Sequence, residues 1–246
     1  LRPSFWRAPT DNDFGAQMQQ KFRLWHDPQM KLKSLEAKSQ EGEMVVAAKY
    51  ELPELAAQLE LTYTIDGNGA IEVAEVLTVD PAQKDMPHLF RFGMELTMPH
   101  QYDRICYYGR GPQESYSDRK AAALIGLYTE DVDDQYYPYI RPQESGNKTD
   151  VRYWKQIDRS GRGFEIRSDR PFQASALPYL TADLDDGIEK HQRHSGELTP
   201  RDPVNVHIDA VQMGVGGEDS WGSWPRPAYR LPYGDYSFRF VLVPIR

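Results

Sequence analysis

The chain has 246 residues, is 39% hydrophobic and 12% aromatic, and carries 18 glycines, 18 prolines and a formal charge of −8. This composition excludes a disordered polymer and suits a folded chain with many turns, while the acidic balance argues against a nucleic-acid partner, because phosphate recognition needs clustered Lys and Arg. A single cysteine, Cys106, excludes an internal disulfide framework, and no run reaches the ~18 consecutive apolar residues of a membrane span, so a soluble protein with no membrane partner is expected.

The first residues, Leu1-Arg2-Pro3, include no initiator Met and no signal-peptide pattern, which leads us to expect part of a longer chain. Asp11-Asn12-Asp13-Phe14-Gly15 groups three oxygen-bearing side chains before a glycine and superficially matches a calcium loop. Gln17 to Phe22 lacks the further oxygen and the closing Glu, so turn capping by Asx side chains, with Gly15 free to bend, is the reading. A short helix is expected within Phe14 to His26.

Alternation then dominates. Glu43–Tyr50, Gln58–Ile65 and Ala70–Val79 read as a meander, with Asp66-Gly67-Asn68-Gly69 as a hairpin turn requiring positive φ at its central residues. Further strands are expected at Asp103–Tyr108, with Cys106 a small core residue, and at Val151–Ile157, Gly163–Ser168, Phe172–Ala176, Val204–Gln212 and Tyr236–Pro244. Thr181 to His194 offers a weakly amphipathic helix capped by Thr181. Many strands and few helices imply an all-β antiparallel sandwich, and the lack of repeats or linkers implies one domain over residues 1–246.

The chemistry is expected in the long inter-strand segments. His191 and His194 have a permissible metal spacing, but no third and fourth ligand stands out, so no metal is assigned. Among Glu114, Asp118, Glu144, Asp150, Glu218 and Asp219 no spacing nominates a glycosidase pair. Two Pro-Gln-Glu segments, Gly109–Tyr116 and Tyr139–Asn147, combine Arg with Glu and read as a loop clamp or as an interface. In Gly214–Trp221, GVGGEDSW, three glycines imply a close backbone approach, and an indole beside two carboxylates has the chemistry of a sugar platform; a strand-end loop with a buried Trp is the alternative.

Four segments, RAPTDNDFG (Arg7–Gly15), YYGRGPQESYSDRK (Tyr107–Lys120), RPQESGNKTDVRYW (Arg141–Trp154) and GVGGEDSWGS (Gly214–Ser223), resemble in order and spacing the C-terminal, small-chain domain of glycoside hydrolase family 2 β-galactosidases. The resemblance implies a large antiparallel β-supersandwich of the galactose-mutarotase-like kind. It implies no catalytic residue in this chain, because the family's two glutamates belong to a TIM barrel, which would be the main partner of this domain together with the β-galactoside substrate. It places Trp221, with Asp219 beside it, at the substrate, and Asp11, Asn12, Asp13 and Gly15 in a pocket loop that shifts about Gly15. Ser115 and Ser145 stand where the family often carries asparagine, and Trp224 competes with Trp221 for the stacking role. No cofactor is expected in this domain; Mg2+, with Na+ as a second ion, is expected in a full-length, homo-oligomeric parent of the bacterial cytoplasm or periplasm. An autonomous carbohydrate-binding module is the alternative function, and a mutarotase-like isomerase would need a His–Glu pair for which the sequence shows no motif.

Overall fold

The computed structural model describes residues 1–246 and is built from antiparallel strands. In chain order these are β1 (Arg2–Ser4), β2 (Lys31–Gln40), β3 (Glu43–Leu52), β4 (Ala57–Ile65), β5 (Ile71–Val79), β6 (Arg91–Pro99), β7 (Arg104–Gly111), β8 (Leu124–Asp131), β9 (Lys148–Ile157), β10 (Gly163–Leu177), β11 (Pro203–Gln212) and β12 (Tyr236–Ile245). They form one sheet in the order β1-β6-β11-β10-β12-β5-β4-β3-β2, with β9 beside β10 and then β7 and β8 as a branch.

The sheet curls because β10 changes its neighbour along its length. Residues 163–167 of β10 pair with β12, whereas residues 173–177 pair with β11. The sequence reading gives two strands here, Gly163–Ser168 and Phe172–Ala176, and the structure joins them into one bent strand with register shifts at Phe172. Phe238, Phe240, Val73, Leu77, Leu59 and Leu61 of one layer share an apolar core with Phe92, Met94, Val206 and Ile208 of the other. The all-β antiparallel expectation is thus the architecture observed.

Alternation explains which faces are inside. On β11, Val204, Val206 and Ile208 enter the apolar core, and the intervening Asn205, His207 and Asp209 form a buried polar face with Arg91 and Glu95 of β6. Ile105 and Tyr107 of β7 point inward, so Cys106 between them is half-buried rather than a core residue.

Several local expectations need correction. The β4–β5 hairpin forms, but only Gly69 has a positive φ, of 86°; the turn is closed by the Asp66 carboxylate, which accepts from the N–H groups of Asn68 and Ala70 at 2.8 and 2.9 Å. The expected helix at 14–26 is two short ones, α1 (Asp11–Gly15) and α2 (Met18–Lys21), followed by a 3-10 turn at Arg23–Trp25. They are divided at Gln17, whose φ is 58°. Between 181 and 194 only α3 (Thr181–Leu184) is helical, and its N-terminus is closed by Asp183, which accepts from Leu180 N–H at 2.9 Å, rather than by Thr181.

Candidate functional site

The five residues of α1 form a helix because Thr10 and Asp13 cap it reciprocally: Asp13 N–H donates to Thr10 Oγ1 at 3.2 Å and Thr10 N–H donates to Asp13 Oδ2 at 2.8 Å. Once in that turn, the three polar residues point to three different partners. Asp13 is buried and receives a bidentate pair from Arg7, Nε to Oδ2 at 3.0 Å and Nη2 to Oδ1 at 2.8 Å. Arg7 is 0% exposed, and its remaining donors reach the carbonyls of Met213 and Gly214 at 2.7 and 3.0 Å. Asn12 donates to Val215 O at 2.9 Å and accepts from Ser220 Oγ at 2.8 Å. Asp11 is ion-paired to Lys190 at 2.6 Å. Asp11, Asn12 and Asp13 therefore hold the loop's shape, and Asp13 does so through a fully satisfied buried pair.

The bonds of Arg7 and Asn12 converge on the glycine-rich segment after β11. Gly214 and Gly216 wrap one carboxylate, that of Asp118, which accepts from Val215 N–H at 3.1 Å and Gly216 N–H at 2.7 Å. A Cβ on Gly214 would lie 2.4 Å from Asp118 Oδ2. The close backbone approach implied by the glycines is thus made, at Gly214 and Gly216, to a side chain of this chain. Gly15 serves the same loop from the other side: a Cβ there would sit 2.0 Å from the Ser220 carbonyl oxygen.

The far end of the loop carries the two tryptophans. Asp219 Oδ1 accepts from the N–H groups of Trp221 and Ser223 at 2.8 and 3.3 Å, and these backbone donors, Trp221 first, hold its carboxyl below the usual carboxylate range. Asp219 thus caps the turn that presents Trp221, whose indole is 89% exposed. Trp224 is turned inward instead, edge-on to Phe22 and His88 with centroids 5.4 Å away in both cases, and flanked by Arg230 and Lys21. Trp221 is the more exposed of the two, whereas Trp224 is half-buried and lines a separate recess with Asp118, Gly216 and Arg230. Asp11, Phe14, Gly15, Ile140, Ile188 and Ser220 line an open recess of about 660 Å³ directly beside Trp221.

The two Pro-Gln-Glu segments are clamped to each other through Ser115, Asn147 and Glu114, not through an Arg–Glu pair. Ser115 N–H donates to Asn147 O at 2.7 Å, Asn147 Nδ2 donates back to Ser115 O at 2.8 Å, and Ser115 Oγ lies 2.9 Å from Thr149 Oγ1. Ser145 Oγ accepts from Tyr137 N–H at 2.8 Å. The arginines pair outside their own segments, Arg110 with Asp150 and Arg141 with Asp186. Glu144 accepts from Arg91 and Gln212, both at 3.1 Å, and Glu114 accepts from Tyr139 and from Gly146 N–H. Burial first, and then the bond to Glu114, push the Tyr139 phenol up to about 12.

His191 and His194 lie in an irregular segment instead of on one helix face, where His191 N–H donates to Asp186 and His194 faces Ile140 O. No group of three or more His, Cys, Asp or Glu side chains converges to hold a metal ion. A His–Glu pair that the sequence did not reveal does exist: His207 Nε2 and Glu95 Oε2 are 3.6 Å apart on the buried polar face. Both are under one-tenth exposed, and burial drives the imidazole well below its usual range, so the pair is a packed interior contact. Asp118, Arg7 and Tyr139 stand within the singled-out segments, but their bonding roles were not legible in the sequence. Only the Thr10-x-x-Asp13 capping pattern carried a local signal for the arrangement around them.

Residues 1–242 match the family model described as beta galactosidase small chain. The chain is 35% identical to a beta-galactosidase of Priestia megaterium, covering 100% of this chain and 23% of that protein. It is 36% identical to a beta-galactosidase of Lactobacillus delbrueckii subsp. bulgaricus, covering 93% of this chain and 22% of that protein. It thus spans less than a quarter of the length of these relatives. Among solved structures, a GH36 alpha-galactosidase from Geobacillus stearothermophilus is similar over 89% of this chain and 28% of its own, with 9% identity and a TM-score of 0.47.

Proposed function

The chain belongs to the beta-galactosidase small-chain family, and we propose that it completes the substrate pocket of a retaining β-galactosidase acting on terminal β-galactosides. In this reading it presents Trp221 to the sugar, while the carboxylates that cleave the bond lie in another part of the polypeptide. The observation that carries it is the contrast between an 89% exposed indole and the rigid loop beneath it. A large apolar side chain left in water is unfavourable unless a partner covers it, and the Asp118, Asn12 and Asp219 bonds fix its position before any partner arrives.

The chemistry is binding and orientation. A pyranose presents C–H groups on one face and hydroxyls around its rim, so an indole face stacks on the former. Asp219 orients the indole by capping its turn, which is a positioning role; direct contact of its carboxylate with sugar hydroxyls would add to it. Asp11, Asn12, Asp13 and Gly15 set the height of the platform, and movement of α1 during substrate entry would be read directly by the Ser220 contacts. Mg2+ or Na+ in the parent would be held by residues outside this chain, since no suitable donor group converges here.

Steady-state hydrolysis of a chromogenic β-galactoside by the full-length parent and its Trp221→Ala variant tests this reading. The variant is expected to fold normally by circular dichroism and to bind substrate more weakly by about 1–3 kcal/mol, seen as a raised KM. Unchanged kinetics in a folded variant would refute the platform role.

A further inference from the structure

A second recess, of about 170 Å³, lies on the other side of α1 from the Phe14–Ile140–Ile188 recess, and four segments distant in sequence meet there. Thr10, Asp11 and Asn12 come from the α1 entry, Tyr116 and Arg119 from the first Pro-Gln-Glu segment, Gln143 and Glu144 with Tyr139 from the second, and Val215 from the glycine loop. We propose that this recess binds a single neutral hexose, at a site separate from the Trp221 platform.

The charges at its walls are already committed. Glu144 is bonded to Arg91 and Gln212, Arg119 faces Glu114 and Tyr139, and Asp11 is paired with Lys190. No unpaired charge remains to select an anion or a cation. What remains are neutral polar groups with unmet capacity. Tyr116, 2% exposed, finds only Glu114 Oε2, at 3.5 Å. The Gln143 amide nitrogen finds Asp11 Oδ2 and Arg141 O, both at 3.5 Å, although its side chain is nearly as buried. The Thr10 hydroxyl accepts from Asp13 N–H and donates to no group within the chain. Buried hydroxyls and amides are costly when left at the limit of hydrogen-bonding distance. A ligand whose surface alternates donors and acceptors satisfies them all, and a pyranose, with hydroxyls around its rim, has that surface.

Occupancy would also be felt at the platform, because Asn12 lines this recess and holds Ser220, the neighbour of Trp221.

The test is titration of D-galactose and D-glucose into the 246-residue chain, followed by saturation-transfer NMR, with circular dichroism confirming folding. Binding is expected in the wild type and in Trp221→Ala, and it should weaken at least about tenfold in both Gln143→Ala and the conservative Tyr116→Phe. Absence of binding to the folded wild type at tens of millimolar sugar would overturn the proposal and mark the recess as a socket for another domain. Binding abolished by Trp221→Ala but retained in both recess variants would equally overturn it. The first result leaves the kinetic role of Trp221 in the full-length enzyme untouched and the second would support it, so the two readings fail separately.

Discussion

Gly15 shows how one residue fixes the relation between two loops. The atom its Cβ would strike, 2.0 Å away, is the backbone oxygen of Ser220, so no rotamer change relieves the clash. Gly15→Ala is expected to cost about 1–3 kcal/mol of stability by overpacking, read as a lower denaturant midpoint, and Ser220→Gly should not rescue it. Asp209 illustrates a different kind of cost. Burial, against the nearby Arg91 and with Glu144 and Glu95 adding to it, pushes its carboxyl up to about 7. An unfolded Asp titrates near 4, so between about pH 4 and about 7 the folded chain holds the extra proton, and stability falls as pH rises, with a slope of at most about 1.4 kcal/mol per unit. His207 works oppositely: its folded pKa is depressed, so stability is lost as pH falls below the usual histidine range. The difference between wild type and Asp209→Asn in denaturant midpoint against pH isolates the first effect. A flat difference from pH 4 to 7 would show that Asp209 is ionised throughout.

Among elements, the ones visible in the sequence are those with one wet and one dry face. β3, β4, β5, β11 and β12 all announce themselves by alternation. β2, KLKSLEAKSQ, did not, because it is exposed along both faces and nothing selects a period; its pairing to β3 defines it instead. β6 is not among the expected strands: Phe92, Met94 and Leu96 alternate, but the interleaved Arg91 and Glu95 are buried too, so no polar face marks a solvent side. The join within β10 was hidden for a tertiary reason, the exchange of β12 for β11 as its neighbour. These differences set expected costs. Phe172→Ala, at the bend of β10 and buried, should cost about 3–5 kcal/mol, whereas Leu35→Lys on β2 should change stability by less than about 0.5 kcal/mol. Chemical denaturation of both variants checks this, and equal losses would mean that β2 packs against something in solution.

Across the whole molecule, the site was legible as motifs but not as geometry. GVGGEDSW and DNDFG were readable as neighbours of a pocket, and the structure does bring them into contact through Asn12, Gly15 and Ser220. What sequence could not supply was the partner that makes the contact rigid, Asp118, nearly a hundred residues from the glycines it binds. The sequence also could not tell how Trp221 and Trp224 differ in surroundings, since both are tryptophans in one loop and only Trp224 is packed by Phe22 and His88. The chain's buried polar residues, Arg91, Asp209, Glu144 and His207, are spent on holding the sandwich and its loops together. Trp221, at 89% exposure, is the most exposed large apolar side chain and the one on which the proposed pocket-completing role rests.

The most direct measurement is reconstitution: hydrolysis of a chromogenic β-galactoside by the full-length parent lacking these 246 residues, with and without the separately purified chain. Neither part alone is expected to hydrolyse the substrate. Mixing should restore activity with the wild-type chain, and with a raised KM for the Trp221→Ala chain. Full activity of the truncated enzyme without the chain, or hydrolysis by the chain by itself, would contradict the pocket-completing role.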